Sequence, residues 1–191
     1  MANRIEEEIK KTVKILQEGG VILYPTDTIW GLGCDATNEK AVTRIYEIKK
    51  RTDTKAMLVL VDDASKILNY VEEVPEMAWQ LVELTTKPLT IIYPKAKNLP
   101  YNLVAEDGSI GIRVSDEEFS KKLCAQFGKP IVSTSANISG KATPLNFSEI
   151  SDEIKSAVAY IVKYRQKETL EAKPSSIIKI EKGNIIQIIR Q

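Results

Sequence analysis

Three short stretches, far apart in the chain, carry the groups that can do chemistry. They are Tyr24–Ala36 (YPTDTIWGLGCDA), Lys49 and Arg51 in a K-x-R, and Ser133–Gly140 (STSANISG). Each supplies small hydroxyls, glycines or fixed cations, the groups that hold phosphate and carboxylate oxygens. The chain contains no histidine. Serine–histidine–aspartate triads, cysteine–histidine pairs, histidine zinc sites and imidazole general bases are therefore excluded. What remains points to an enzyme that positions reactants and stabilises charge without an imidazole proton relay.

Each stretch has a chemical reading and a structural one. Thr26 and Thr28 flank Asp27 in a loop stiffened by Pro25; they can hold a small polar substrate or form a turn that satisfies its own backbone. Lys49, Lys50, Arg51 and Lys55 form a cationic cluster. They suit a solvated helix end, where cations favour the dipole. They suit equally a phosphate clamp, with arginine giving paired contacts and lysine a point charge. Ser133, Thr134, Ser135 and Asn137 stand at the end of a predicted strand, where α/β proteins bind ligands, or in a serine/asparagine turn. Arg113 lies between Ile112 and Val114 in GIRV. If those two face the core, Arg113 emerges on the opposite face of the sheet, in an ion pair or as a carboxylate-binding guanidinium.

Two common nucleotide motifs do not apply. The chain has no G-x-x-x-x-G-K-S/T phosphate loop. Gly31–Ala36 fits G-x-G-x-x-A, but Pro25–Trp30 separate it from the preceding strand. The helix after it leads to K-x-R instead of an acidic ribose binder, so a dinucleotide fold is set aside.

These residues must be positioned by a chain of 191 residues, enough for one domain with its own core. Hydrophobic residues make up 43%, charged residues 28%, and the net charge is +1. Any contact with nucleic acid must then come from a local basic patch. Cys34 and Cys124 lack metal-ligand spacing and read as reduced, structural thiols. The N-terminus is too charged for a signal peptide, and no window approaches the ~18 uninterrupted apolar residues of a membrane span. A soluble, cytoplasmic protein is expected.

Periodicity predicts a helix with Ile5, Ile9, Val13 and Leu16 on one face, capped by Asn3 and closed by Gly19. Val21–Tyr24 reads as a strand. Asn38–Lys50 reads as a helix with Ala41, Val42, Ile45 and Ile48 inward, Asn38 as its cap, and Lys49 and Arg51 at or past its end. Met57–Val61 is β-like, followed by a helical stretch at Ala64–Tyr70 and a longer helix with Pro75 at its first position. Leu89–Tyr93 and Ile110–Val114 are strands. Ser115 and Glu118 form an expected capping box for a helix that buries Phe119, Leu123 and Phe127 and ends at Gly128. Ile131–Ser133, Tyr160–Val162, Ile177–Ile180 and Ile185–Ile189 complete the strands. Leu170–Pro174 is the expected mobile loop. The adjacent strands near the C-terminus suggest antiparallel pairing. The architecture expected is α/β: a single-domain twisted mixed sheet with helices packed against it.

The motifs YPTDTIWGLGCDA, K-x-R, GSIGIRV, STSANISG and a terminal PSSII with IIR occur in one order along essentially the whole chain. In that combination the chain resembles the YrdC-like (TsaC) L-threonylcarbamoyladenylate synthases. The resemblance implies one domain over residues 1–191 with a concave basic cleft. It also implies a nucleotidyltransferase that condenses L-threonine, bicarbonate and ATP into threonylcarbamoyl-AMP and pyrophosphate. The product serves threonylcarbamoylation of the adenosine beside the anticodon of tRNAs.

Carried over residue by residue, the catalytic tetrad is Lys49, Arg51, Ser135 and Asn137. ATP is held by Arg51, Lys55, Ser109, Ser135, Thr143 and Arg190, with Mg2+ bridging the phosphates and no dedicated metal cage. Threonine is held by Thr28, Arg113, Ser133 and Ser175. A tRNA or double-stranded RNA and a downstream threonylcarbamoyl transferase complex are the further partners implied, and a membrane is not. The chain departs from the family pattern at Thr52, at Lys55-Ala56-Met57 and at Leu60, where some longer relatives place a threonine-contacting histidine. Ser175-Ser176 replaces the usual Ser-Thr, and the chain ends at Gln191, before the extra domain of longer relatives.

Two other readings compete. A non-catalytic double-stranded RNA or tRNA-binding module would show salt-dependent RNA affinity without ATP turnover. An adenylating relative acting on carbamoyl phosphate would belong to a multidomain chain.

Overall fold

The computed structural model describes residues 2–51, 57–169, 174–181 and 185–191. Lys55, proposed for ATP, and Leu170–Lys173 of the expected loop lie outside the described residues, as do Thr52 and Ala56. The helices are α1 (Ala2–Gln17), α2 (Glu39–Ile48), α3 (Glu76–Leu84), α4 (Glu118–Phe127) and α5 (Asp152–Ala157). The strands are β1 (Ile22–Tyr24), β2 (Gly31–Gly33), β3 (Leu58–Val61), β4 (Leu89–Tyr93), β5 (Ile110–Val114), β6 (Ile131–Ser135), β7 (Tyr160–Ile161), β8 (Ser176–Glu181) and β9 (Ile185–Arg190).

Among the described residues all nine strands form one mixed sheet, in the order β7-β1-β2-β6-β3-β5-β4-β8-β9. The pairs β1/β7, β3/β5 and β4/β8 are parallel and the others antiparallel. The expected antiparallel pairing near the C-terminus holds for β8 and β9, whereas β7 lies at the far edge, parallel to β1.

Alternation along the strands shows why both faces are buried. Leu23, Val59, Val61, Ile112 and Val132 enter a core shared with Val42 and Ile45 of α2. Their neighbours Ile22, Tyr24, Leu60 and Ile131 point the other way, into a core shared with Ile5 and Ile9 of α1 and Phe119 and Leu123 of α4. The α1–α4 layer covers only part of its face. Register places Leu58 opposite Gly111 and Ser133, and Gly111 opposite Ile92, so these four residues share that face. This uncovered part of the sheet is the floor of a cleft.

Local chemistry corrects several expectations. Asn3 lies inside α1, which begins at Ala2, so it does not cap it. The Ser115–Glu118 capping box is absent: Glu117 is the cap and accepts from the Ser120 N–H at 2.8 Å. Ser115 cannot start the helix because its N–H still prolongs β5, donating to the Val61 carbonyl at 2.9 Å. Pro75 sits one position earlier than expected, as the N-cap of α3, and Ala64–Asn69 is a 3-10 helix. Asn38 does cap α2, and Gly128 closes α4 at φ 76°.

Local pattern gives no sign of β2, because Gly-Leu-Gly reads as a loop. The structure gives the reason for Gly33. A Cβ there would lie 2.6 Å from the Tyr24 ring and 2.9 Å from the Val132 carbonyl oxygen. Only a bare backbone can pair β1 with β2 beneath that ring.

Candidate active site

The loop Pro25–Trp30 is anchored from behind. The Ser120 hydroxyl of α4 donates to the Pro25 carbonyl at 3.1 Å, and Arg165 Nη1 donates to the Thr26 carbonyl at 3.0 Å. The Thr26 hydroxyl closes the turn, donating to the Ile29 carbonyl at 2.8 Å and accepting from the Thr28 N–H at 3.1 Å. Thr26 Oγ1 also lies 3.0 Å from Thr28 Oγ1. Its own proton being committed, Thr26 accepts from Thr28. Thr28 is left with open lone pairs on an oxygen that borders the cleft. The turn reading of this loop is therefore realised at Thr26, while Thr28 keeps a hydroxyl on the cleft wall.

Arg113 faces away from Ile112, as alternation requires, and is 2% exposed. Its Nη2 lies 3.0 Å from Asp27 Oδ1. The structural reading, an ion pair, is thus present. Burial raises the Asp27 pKa while the Arg113 charge opposes that rise. Neither Arg113 Nε nor Asp27 Oδ1 has an aligned hydrogen-bond partner, although both are buried. Arg113 lines the cleft with its Nε donor unused.

The cations after α2 have three separate roles. Lys50 takes a left-handed conformation, φ 48°, which helix ends usually assign to glycine. That kink sends the neighbours different ways. Lys50 pairs with Glu153 at 2.6 Å on the surface. Arg51 borders the cleft, its guanidinium carbon 5.8 Å from the centre of the Tyr46 ring. Lys49 is buried, and its Nζ donates to the carbonyls of Ser135 at 2.5 Å and Asn137 at 2.7 Å. The Lys49 carbonyl accepts from the Ser139 N–H at 2.9 Å. Burial, and secondarily the Arg51 charge, lower the Lys49 pKa to about 8. Lys49 is a cross-link between the end of α2 and the loop after β6.

The proposed tetrad therefore divides. Arg51 and Ser135 line the cleft, whereas Lys49 and Asn137 stand behind it. The Asn137 side chain serves its own loop, donating to the Lys141 carbonyl at 2.7 Å.

An inner recess of about 200 Å3 gathers Thr28, Arg113, Ser133 and Ser175 with Arg51, Ser135, Thr143 and Arg190. It adjoins a larger cavity of about 790 Å3 that shares Arg51 and Arg190 and adds Ser109, Thr90 and Ile92. Pockets for drug-sized ligands run to roughly 300–1,000 Å3, so the recess suits a smaller molecule such as an amino acid and the outer space a larger anion.

Four hydrogen bonds brace the rim and its junction with the recess. The Ser109 hydroxyl donates to Asp107 at 2.5 Å, and Lys179 of β8 donates to the same carboxylate at 2.6 Å. Hydrogen bonds from Lys179 and Ser109 lower the Asp107 pKa to about 2. Arg190 Nε donates to the Ser175 carbonyl at 2.9 Å, and Ser175 Oγ lies 2.9 Å from Thr90 Oγ1. Ser175, and not Ser176, borders the recess, since Ser176 already belongs to β8.

Sequence reasoning missed Asp27 as the partner of Arg113 and Asp107 as the brace of Ser109. A carboxylate within the T-D-T turn was the available signal for Asp27, while Asp107 gave none beyond its place two residues before Ser109. Both cysteines are buried and unpaired, matching the structural reading. Among the described residues no group of three or more Cys, Asp or Glu could hold a metal ion, and no helix is long and apolar enough to cross a membrane.

Fold and cleft define an α/β protein with a hydroxyl-rich recess opening under arginines, suited to a small zwitterion beside a polyanion. The chain belongs to the Sua5/YciO/YrdC family, whose profile, described as "Telomere recombination", matches residues 14–191. It is 36% identical to the threonylcarbamoyl-AMP synthase of Pseudoalteromonas translucida, over 82% of this chain and 86% of that one. It is 33% identical to the threonylcarbamoyl-AMP synthase of Vibrio cholerae, over 82% and 85%. Among solved structures, P. abyssi Sua5 complexed with L-threonine has a TM-score of 0.82 at 26% identity. That match covers 93% of this chain but 52% of Sua5, so this chain spans about half of that protein. E. coli YciO has a TM-score of 0.83 at 28% identity, covering 96% and 88%.

Proposed function

We propose that this protein is a threonylcarbamoyl-AMP synthase, a nucleotidyltransferase that joins L-threonine, bicarbonate and ATP and releases pyrophosphate. The observation that carries this reading is the single cleft that unites Arg113 and Thr28 with Arg51 and Ser135, in a family whose curated members bear that name.

The threonine amine condenses with bicarbonate, losing water, to an N-carboxy compound. Its carboxylate oxygen then attacks the α-phosphorus of ATP, and the bond to pyrophosphate breaks. Arg113 takes the threonine carboxylate with the donors Asp27 leaves over, and Thr28, able only to accept, takes an N–H or O–H of the amino acid. Ser133 and Ser175 close the recess. Arg51, Ser135, Thr143 and Arg190 face the phosphates, with Ser109 further out.

Such a displacement depends on alignment and on charge neutralisation, which arginines and hydroxyls supply without a protein nucleophile. The donors at the phosphate end are cations and hydroxyls, which fits Mg2+ held by the nucleotide; bound there, it would neutralise phosphate charge. We assign Lys49 and Asn137 to positioning Ser135. The product would pass to a transferase acting on tRNA in the cytoplasm, with RNA as a further ligand of the basic rim.

The deciding experiment is pyrophosphate release with threonine, bicarbonate and ATP omitted in turn. Loss on every omission supports the reading. Release without threonine would overturn it, and RNA binding without release would return the non-catalytic module.

A further inference from the structure

β9 ends the sheet, and among the described residues nothing pairs with its outer edge. All six of its residues are exposed, with Ile185 at 60%, Ile186 at 40%, Ile188 at 59% and Ile189 at 50%. Proteins usually protect an edge strand by keeping it short, by bulging it or by placing lysine or proline on it. The opposite edge obeys that rule: β7 has two half-buried residues, and the Tyr160 hydroxyl is tied to Glu8 at 2.8 Å. From Ile185 to Ile188, β9 carries neither charge nor proline, and its bulge falls at Ile189, past that stretch. Ile186 and Ile188 stand opposite the buried Ile180 and Ile178, so they carry the core-side face out into water.

The segment Ile185-Ile186-Gln187-Ile188-Ile189 reads the same in both directions. An antiparallel pairing of two copies about Gln187 sets Gln187 against itself and Ile186 against Ile188; Ile189, which the register shift leaves without a partner on β8, lies beyond this regular stretch. Paired residues fall on the same face, so Ile186 of each copy meets Ile188 of the other and the two Gln187 amides can bond to each other. We propose that β9 is a self-complementary seam through which two copies of this chain form a dimer with one continuous sheet. The occupant is a second copy because the match is of the strand with itself. The contact is two-fold and uses the edge up, so assembly stops at two. Arg190, the next residue along, lines the catalytic cleft, and the seam would steady the strand that presents it. A single short strand falls below the ~800 Å2 per partner of stable interfaces, so a dissociation constant of roughly 1–100 μM is expected.

Sedimentation velocity of the full chain between about 1 μM and 1 mM tests this, the range in which such a constant is read. Wild type should pass from monomer to dimer. Ile188→Lys should stay monomeric with unchanged circular dichroism and melting temperature, its side chain being exposed. Under mild oxidation Gln187→Cys should give a disulfide dimer, since opposed strand residues lie about 4.5–5.5 Å apart at Cα. Ile185→Cys should not, because the two copies of that residue would be roughly 13 Å apart. The native thiols are buried and do not compete. A monomer throughout, species larger than a dimer, a dimeric Ile188→Lys, or equal cross-linking at both positions would each overturn the seam. A persistent monomer would leave the edge to an unrelated strand. None of these readings depends on catalysis, so failure here is separate from failure of the proposed activity.

Discussion

The inner recess and the outer rim of the cleft are built on different terms. In the recess, Thr28, Arg113, Ser133 and Ser175 are all buried, and Arg113 is already held by Asp27. At the rim, the bonds run between segments distant in sequence: Asp107 to Lys179, and Arg190 to Ser175. Lys179 and Asp107 are both partly exposed. A buried, prearranged site spends little ordering entropy on its ligand and so can discriminate. A rim of solvated cations can adjust to a triphosphate whose charge shifts during reaction. Under the proposed function this is a division of labour, with selectivity inside and charge handling outside.

The largest effect expected is at Arg51, where the recess and the outer cavity meet. Arg51→Ala should lower turnover by roughly 100–1,000-fold, the scale for one preorganised charge-stabilising group. Near-normal turnover would break the division. Next, Arg113→Leu should raise the threonine KM by about 10–100-fold, the worth of a hydrogen bond to a charged group, with little change in the ATP KM. Its melting temperature should also fall, because Asp27 is left buried and unpaired, and Arg113→Leu with Asp27→Asn should recover the fold but not threonine affinity. Equal shifts in both KM values would refute the separation.

Ser175→Ala tests the boundary. It removes the partner of Thr90 and should cost about threefold to tenfold, felt in the threonine KM before the ATP KM.

Two pH experiments give smaller signals. The Lys49 pKa is about 8 when folded against 10.5 as the ordinary value. Across that window the unfolded chain holds the extra proton, so stability attributable to this group rises with pH from about 8 to 10.5. A neutral amine keeps two donors, enough for the Ser135 and Asn137 carbonyls, so the cross-link survives. Lys49→Met should abolish that slope in denaturant titrations. At the rim, Asp107 is depressed to about 2 from 3.8. Its contribution is present above pH 3.8 and is lost as the pH falls through 2, so Asp107→Asn should flatten the acid limb. The exposure of Asp107 makes this the weakest effect of the set.

Much of the fold was legible from local pattern. Asn38–Lys50, Leu89–Tyr93 and Ile110–Val114 emerged nearly as periodicity dictates, because their apolar spacing and caps agree. Gly31–Gly33 did not, since it pairs only because β1 and β6 close around it, a contact without a local signal. The Ser115 cap failed for the related reason that pairing with β3 held the chain extended past the motif.

Residue types alone settled which chemistry this protein can do: no imidazole, hence alignment and fixed charge, and a strand at Ile110–Val114 that must turn Arg113 away from Ile112. Tertiary structure decided where that chemistry points. Simple alternation along β9 would put Arg190 beside Ile186 and Ile188, on the core-side face. A register shift between Ile177 and Ile178 sets Arg190 opposite Ile177 instead, in the cleft. One unpaired residue in a ladder reverses the face of every residue after it, and only the partner strand can impose it.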